Sequence, residues 1–368
     1  MSNVRKYIIL AVILIIVIVV FQVITGGKKS SWEEREELSQ IRDAPAQAAE
    51  KPALPGEVPP EYPTSLSICS FNIQFLGHSK SRDDTAVAQV LEDCDIAVIQ
   101  ELVAPPYAGT FPNGDPFKPD GDAVEFFDVM KALGFDYILS EEDTGTNDKI
   151  HLNSSATEWW VTFYRRDRAQ VAADLPSGFL AVDRSNHGDY ERVPYAFAFR
   201  TLDHKADFVL ISVHLKPGGS KKDKARRQHE LSAIARWIDA HDEEERDFVI
   251  LGDMNIEDDK DLAGATPRGF ISLNDECRPT NTNLRSPKPY DHVMFNPRYT
   301  TEIDRSFDMV VIDLIAAMAP FWAGNEPYPG HPYDHDEFRK HYSDHHPVMF
   351  EIDIPGEDDD GLVRTSTR

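Results

Sequence analysis

Phe248-Val249-Ile250-Leu251-Gly252-Asp253-Met254-Asn255 passes from four large apolar residues, through a glycine, to an acid and an amide two positions apart. The apolar part reads as a short, buried strand. The acid and the amide then stand beside a rigid element, which is how a fold positions a site accurately. In an extended segment Asp253 and Asn255 point to one side. The same arrangement recurs outward along the chain. Ser65-Leu66-Ser67-Ile68-Cys69-Ser70-Phe71 alternates like a half-buried strand and ends at Asn72. Asp95-Ile96-Ala97-Val98-Ile99 ends at Gln100-Glu101, and residues 207–213 end at His214. Tyr290-Asp291-His292 precedes Val293-Met294-Phe295, and Ser343-Asp344-His345-His346 precedes Pro347-Val348-Met349-Phe350. Residues 159–164 and 195–200 are further strands. Helical patterns occupy 84–91, 124–133 and 224–238. Strands and helices mixed over residues 65–354 predict one α/β domain, sheets at the centre and helices outside.

Any one Asp, Asn or His beside a strand is ordinarily a turn former, a cap or a structural residue. The combination points to chemistry: Asp253-x-Asn255 after Gly252, a lone Glu101 after an apolar strand, an Asp344-His345 pair before the last strand. Hydrolysing a phosphodiester needs a nucleophilic water, neutralised charge on the phosphorus and a protonated or screened leaving oxygen. Hard oxygen donors suit Mg2+ or Mn2+, with Ca2+ as a further candidate, and no Cys/His cluster suggests structural zinc.

A formal net charge of -25 argues against a protein that passively coats nucleic acid, which would need a basic face. It leaves room for a nuclease, because a cation can bridge carboxylates and phosphate. The three cysteines, Cys69, Cys94 and Cys277, exclude a dense disulfide framework. Cys69 in an apolar strand is expected to be a buried free thiol, with one disulfide as the alternative.

Residues 7–24 are apolar apart from Gln22; as a helix they would span roughly 27 Å, close to the ~30 Å hydrocarbon layer. The run is longer than a signal-peptide core and lacks a small-residue cleavage site. The expectation is a single transmembrane helix at 7–24 after a short segment 1–6. A Pro- and charge-rich linker at 25–64 comes next, then the catalytic domain at 65–354 and an acidic tail at 355–368. Arg5-Lys6 and Lys28-Lys29 flank the span almost evenly. A signal-anchor normally translocates the chain on its C-terminal side, so the domain is expected outside the cytoplasm.

Six segments, in order, resemble the endonuclease/exonuclease/phosphatase superfamily, which contains deoxyribonuclease I, exonuclease III, bacterial sphingomyelinases and inositol-polyphosphate phosphatases. They are Ser70-Phe71-Asn72-Ile73-Gln74, Ile99-Gln100-Glu101, Ser212-Val213-His214-Leu215, Leu251-Gly252-Asp253-Met254-Asn255, Tyr290-Asp291-His292-Val293 and Ser343-Asp344-His345-His346-Pro347-Val348. The resemblance implies a four-layered α/β sandwich with two central mixed sheets. It implies Glu101 as a metal ligand with Asn72 beside it as a neutral ligand or phosphate contact, and it couples His214 with Glu158 and His345 with Asp291. Asp344 is expected to contact metal as well, or to order the water. Asp253 is expected to activate water or hold metal, Asn255 to donate to phosphate, and His345 to act as acid or base. A solvated Glu158 is the competing reading. His292 stands where many relatives carry Arg, and the Pro-Ala-Trp-Cys-Asp-Arg pattern of the inositide phosphatases is absent.

Substrate signals are weaker. Lys221, Lys222, Arg226 and Arg227 form the one dense basic patch, either along a polyanion or as the solvated start of a helix burying Leu231, Ile234 and Trp237. The segment 319–342, with Phe321, Trp322, Tyr328 and Tyr333, is either a lid or a packed loop. The expectation is a membrane-anchored nuclease with nucleic acid as substrate; the alternative is a phospholipid or phosphomonoester hydrolase. No obligate protein partner is indicated.

Overall fold

The computed structural model describes residues 62–144, 157–183, 187–303, 309–322, 327–329 and 332–354. The helix expected at 7–24, nearly all of the linker and the tail at 355–368 lie outside the described residues. Among the described residues, no helix is long and apolar enough to cross a membrane.

The chain begins with β1 (Ser65–Leu76), α1 (Asp84–Gln89), β2 (Ile96–Leu102) and a small hairpin of β3 (Gly109–Thr110) and β4 (Pro116–Phe117). Next come α2 (Gly121–Ala132), β5 (Asp136–Leu139), β6 (Trp159–Tyr164), β7 (Ala169–Val171) and β8 (Gly178–Phe179). Then follow β9 (Tyr195–Thr201), β10 (Asp207–His214), α3 (Lys221–Asp239), β11 (Phe248–Asp253) and α4 (Asp259–Ala265). The last elements are β12 (Ile271–Ser272), β13 (Asp291–Phe295), β14 (Val310–Val311), α5 (Leu314–Met318), α6 (His335–His341) and β15 (Val348–Asp353). One sheet has the order β14-β15-β1-β2-β6-β5; the other runs β12-β13-β11-β10-β9-β7, with β8 beside β9. Each is mixed and built around one parallel pair, β1 with β2 and β10 with β11.

Side-chain alternation sorts every strand between two layers. Leu66 and Ile68 of β1, Ile96 and Val98 of β2, Phe208 and Leu210 of β10, and Val249 and Leu251 of β11 share one buried cluster between the sheets. The opposite faces pack outward. Phe71, Ala97 and Val161 lie against Ala123, Phe126, Phe127 and Met130 of α2. Val209, Ile211 and Ile250 lie against Leu231, Ile234 and Ile238 of α3. The result is helix, sheet, sheet, helix: the four layers expected.

Two details depart from or refine the sequence reading. Cys69 is not a free thiol: it is bonded to Cys94, with Cα atoms 5.9 Å apart, joining β1 to the turn before β2. Alternation could not reveal this, because the partner lies in a turn that only the fold brings alongside β1. Gly252 has φ +135°, and a Cβ there would lie 2.2 Å from the Val213 carbonyl oxygen on the neighbouring parallel strand. The backbone cannot yield without moving Asp253. Gly252→Ala should therefore cost about 3 kcal/mol or more, combining the disfavoured φ with an overpacked contact. Denaturant unfolding checks this, and a loss under about 1 kcal/mol would mean the strands slide easily.

Candidate active site

Both parallel pairs end at the same edge of the sandwich, and the antiparallel strands β6, β13 and β15 begin there. The face that is apolar deeper in the inter-sheet core turns polar at this edge. Ser70 and Asn72 continue the Leu66-Ile68 face; Gln100 continues Ile96-Val98; Ser212 and His214 continue Phe208-Leu210; Asp253 continues Val249-Leu251. Register sets His214, Asp253 and Asp291 side by side across β10, β11 and β13. Beneath them the buried Gln100 amide bonds Ser70 Oγ and Ser212 Oγ at 3.3 Å each, a polar rung between the sheets.

Glu101 breaks the alternation. By strict parity it would face the helical layer, but β2 carries a register shift between Ile99 and Leu102, and Glu101 has φ +64°. Such an irregularity re-aims a side chain next to a site. Gln74, Phe75 and Asn255 also have positive φ, so four of the six described non-glycine residues with positive φ cluster here. Strain of this kind collects where surrounding structure holds it for function.

Two imidazole–carboxylate couples face each other. His214 Nδ1 lies 3.0 Å from Glu158 Oε1, and His345 Nδ1 lies 2.8 Å from Asp291 Oδ2. Their Nε2 atoms meet one oxygen, Asp253 Oδ2, at 3.5 and 3.6 Å. Asn72 Nδ2 donates to the same oxygen at 3.1 Å and to Glu101 Oε1 at 3.0 Å. Burial disfavours the His345 imidazolium, but Asp291 and Asp253 overcome it, and its pKa stands well above the ordinary value. Burial and Arg192 oppose protonation of His214, while Glu158 and Asp253 raise its pKa. Burial favours a neutral Glu158. The charges of His214 and Arg192, with the Glu101 N–H at 2.7 Å, instead hold its carboxyl at about 2.

Glu158 is thus a buried, ionised orienter, not a solvated acid. With a folded pKa near 2 against an ordinary 4.5, it contributes stability that is full above the unfolded value and lost as pH falls toward 2. The shift corresponds to about 3 kcal/mol. Urea midpoints should fall between pH 5 and pH 3 in the wild type and fall less in Glu158→Gln; equal slopes would contradict the assignment.

Two donor sets can be tested for a cation. Asp253, Asp291 and His345 offer atoms all within 4.8 Å of one another. This is not the expected trio; His345 Nδ1 is taken up by Asp291 Oδ2, while Asp291 Oδ1 is buried without a hydrogen-bond partner. Glu101, Asp344 and Asn72 form the harder set. Asp344 Oδ2 accepts from Gln74 Nε2 at 3.0 Å, but the buried Asp344 Oδ1 has no hydrogen-bond partner. Burial raises the Glu101 pKa, His214 opposes this, and the like charges of Asp344 and Glu158 add to it. An orphaned carboxylate oxygen beside a second carboxylate under repulsion fits Mg2+ or Mn2+.

Other expectations fare differently. Asn255 lies past the strand end in left-handed backbone, so strand parity does not apply to it. Its Nδ2 donates to Leu215 O at 3.2 Å, and its N–H to Asp253 Oδ1 at 2.9 Å. Arg227 has no surface to offer a polyanion: it is fully buried, donating to Asp261 at 2.6 Å and to the Lys216 and Gly218 carbonyls. Arg226 is turned onto the carbonyls of His187 and Gly188. Lys221 and Lys222 remain exposed at the start of α3, which Ser220 and Asp223 cap reciprocally. In the 319–342 segment Trp322, Tyr328 and Tyr333 pack on the helical-layer core, leaving Phe321 exposed. His292 points away from the site; burial holds its pKa at about 4, and it contacts Ser272 Oγ.

Sequence reading missed Arg192, 2.6 Å from Glu158. It missed Gln74 on Asp344, and Ser343, whose hydroxyl donates to the Asn72 carbonyl and so ties the last motif to β1. Ser343 and Gln74 stood within quoted motifs; nothing marked Arg192.

No family model matches the chain. A curated protein named deoxyribonuclease, from Thioalkalivibrio sp. (strain K90mix), is 23% identical over 287 residues, covering 77% of this chain and 70% of its own length. An endonuclease/exonuclease/phosphatase family protein of Bacteroides thetaiotaomicron is 16% identical with a TM-score of 0.47, over 80% of this chain and 100% of that one. A mannosyl-6-phosphatase of the same organism is 15% identical with a TM-score of 0.47, over 77% and 98%.

Proposed function

We propose that the protein is a divalent-cation-dependent phosphodiesterase of the deoxyribonuclease I-like type, cleaving nucleic acid. The observation that carries this reading is the convergence of the Glu158–His214 and Asp291–His345 couples on Asp253 Oδ2. A phosphate seated there meets two imidazolium donors and one carboxylate. Asp253 accepts a proton from the attacking water. His345, kept charged by Asp291, gives its proton to the departing oxygen, and His214 donates to a non-bridging oxygen. Asn72 ties Glu101 to Asp253 through its two amide N–H bonds, and Asn255, with one N–H on the Leu215 carbonyl, has a second to offer the phosphate. A cation held by Glu101, Asp344 and Asn72 would supply positive charge against the charge developing on the phosphate.

The test uses the full chain in detergent with supercoiled plasmid. Nicking that requires Mg2+ or Mn2+ and disappears in Asp253→Asn is expected. Turnover of sphingomyelin vesicles or of a sugar phosphate without nicking would move the assignment to the lipid or monoester alternative.

We also propose that residues 7–24 anchor the chain once in a membrane with the catalytic domain outside the cytoplasm. The Cys69–Cys94 bond supports this side, since such bonds persist in oxidising compartments. Protease added to intact cells should degrade the domain; full protection would refute the sidedness.

A further inference from the structure

A recess of about 270 Å³ opens beside the acidic centre, between the end of β1 and helix α6, and no catalytic step uses it. Gln74 and Phe75 form one wall, His78 and Arg82 another, and Arg339 and Lys340 the rim. Two of these residues connect the recess to the site. Gln74 bonds Asp344, and the Phe75 N–H donates to Glu101 Oε2 at 3.0 Å. Phe75 is 39% exposed, a large apolar side chain carried on left-handed backbone.

The wall is braced. The buried Arg82 guanidinium donates to the carbonyls of Ile73 and Gln74 at 2.6 and 2.8 Å, which holds the kink that presents the ring. The rim cations can be recruited at little cost. Arg339 lies 3.4 Å from Asp336 and Lys340 2.8 Å from Glu337, but these are exposed pairs within one helix turn, worth little in water. Arg339 also stands 3.9 Å from Asp344, so the cationic rim continues into the acidic centre.

We propose that this recess is a nucleotide subsite. An unpaired base stacks on the Phe75 ring while its phosphate lies between Arg339 and Lys340, placing the next phosphate of the strand over Asp253. Stacking is available only to a base freed from its duplex, so the site selects single-stranded or frayed nucleic acid. The inference rests on the phosphodiesterase reading and narrows its substrate.

Two substrates separate the two claims. A short single-stranded oligodeoxynucleotide fills the recess; bis(4-nitrophenyl) phosphate reaches only the acidic centre. In the full-length protein, Phe75→Ala and Lys340→Ala should each lower kcat/KM on the oligonucleotide, Phe75→Ala by roughly 10- to 100-fold and mainly through KM. On the small diester Lys340→Ala should remain within about twofold of wild type, and Phe75→Ala should lose far less than it does on the oligonucleotide. Phe75→Tyr, which keeps a stacking ring, should restore oligonucleotide cleavage. Equal losses on both substrates would make Phe75 a support of the centre rather than a subsite and overturn the proposal, as would undiminished oligonucleotide cleavage. A wild type that hydrolyses vesicle phospholipid but no oligonucleotide would overturn it too. A wild type inert toward both phosphodiesters would remove the catalytic reading itself, and the subsite with it.

Discussion

His345→Ala should lower kcat on a phosphodiester by about 10³-fold, within the range that a positioned proton donor contributes. The size comes from three features of the site. The ring is buried and fixed by Asp291 at 2.8 Å, so its tautomer and direction are set. Asp291 and Asp253 keep it charged through neutral pH although burial opposes this. Its Nε2 points at the oxygen around which Asn72 and His214 also gather. The raised pKa gives the sign of a second effect. Stability from the couple is full below the ordinary value of 6.5 and is lost as pH rises through the higher folded value. Asp291→Asn should therefore move the alkaline limb of the rate profile to lower pH as well as reduce kcat. Either variant leaves a buried partner alone, at a cost of about 3 kcal/mol. Rates must accordingly be measured well below the unfolding midpoint. A folded His345→Ala protein with an unchanged kcat would show that the proton comes from elsewhere.

The legible part of this site was the part encoded by neighbours in sequence. A strand of apolar residues ending in Asn72, His214 or Asp253 declares both its own burial and the place where burial stops, because alternation carries the same face from core to edge. Six motifs in order, through the superfamily they resemble, were enough to expect two packed sheets with the site at the strand ends. Properties that depend on distant partners were not legible. Arg227 looked like part of a basic surface because its neighbours are Lys and Arg, yet helix α3 turns that position onto Asp261 of α4. Cys69 looked like a core thiol until the turn at Cys94 was brought beside it. Glu101 was picked out as a lone acid after an apolar run, but simple strand geometry would have aimed it at the helices. The register shift that redirects it has no signature in the residues around it. Asn255 was expected to share a direction with Asp253 by strand parity; its left-handed backbone gives it a different relation, through its N–H.

Glu101→Gln should abolish metal-dependent turnover by a comparable or larger factor and, unlike the His345 change, should also abolish a metal-dependent gain in stability. Without a cation, the wild type carries Glu101 and Asp344 as interacting carboxylates in a site where burial already disfavours charge on Glu101. Asp344 Oδ1 is left without a partner there. Binding a divalent ion relieves both penalties in the folded state only, so stability rises as RT ln(1 + [M]/Kd), or about 2.7 kcal/mol at a hundredfold excess over Kd. Gln keeps the size and one acceptor oxygen, for either the Asn72 amide or the Phe75 N–H, and it removes one charge. The metal-free variant should thus melt at or above the wild type, while Mg2+ or Mn2+ should raise its midpoint far less. That opposite movement, higher without metal and lower with it, separates a ligand from a residue that merely supports the fold. The alternative cluster of Asp253, Asp291 and His345 predicts something else: an undiminished metal shift in Glu101→Gln and its loss in Asp291→Asn. Melting curves of both variants across a metal titration would decide which set holds the ion, independently of any rate.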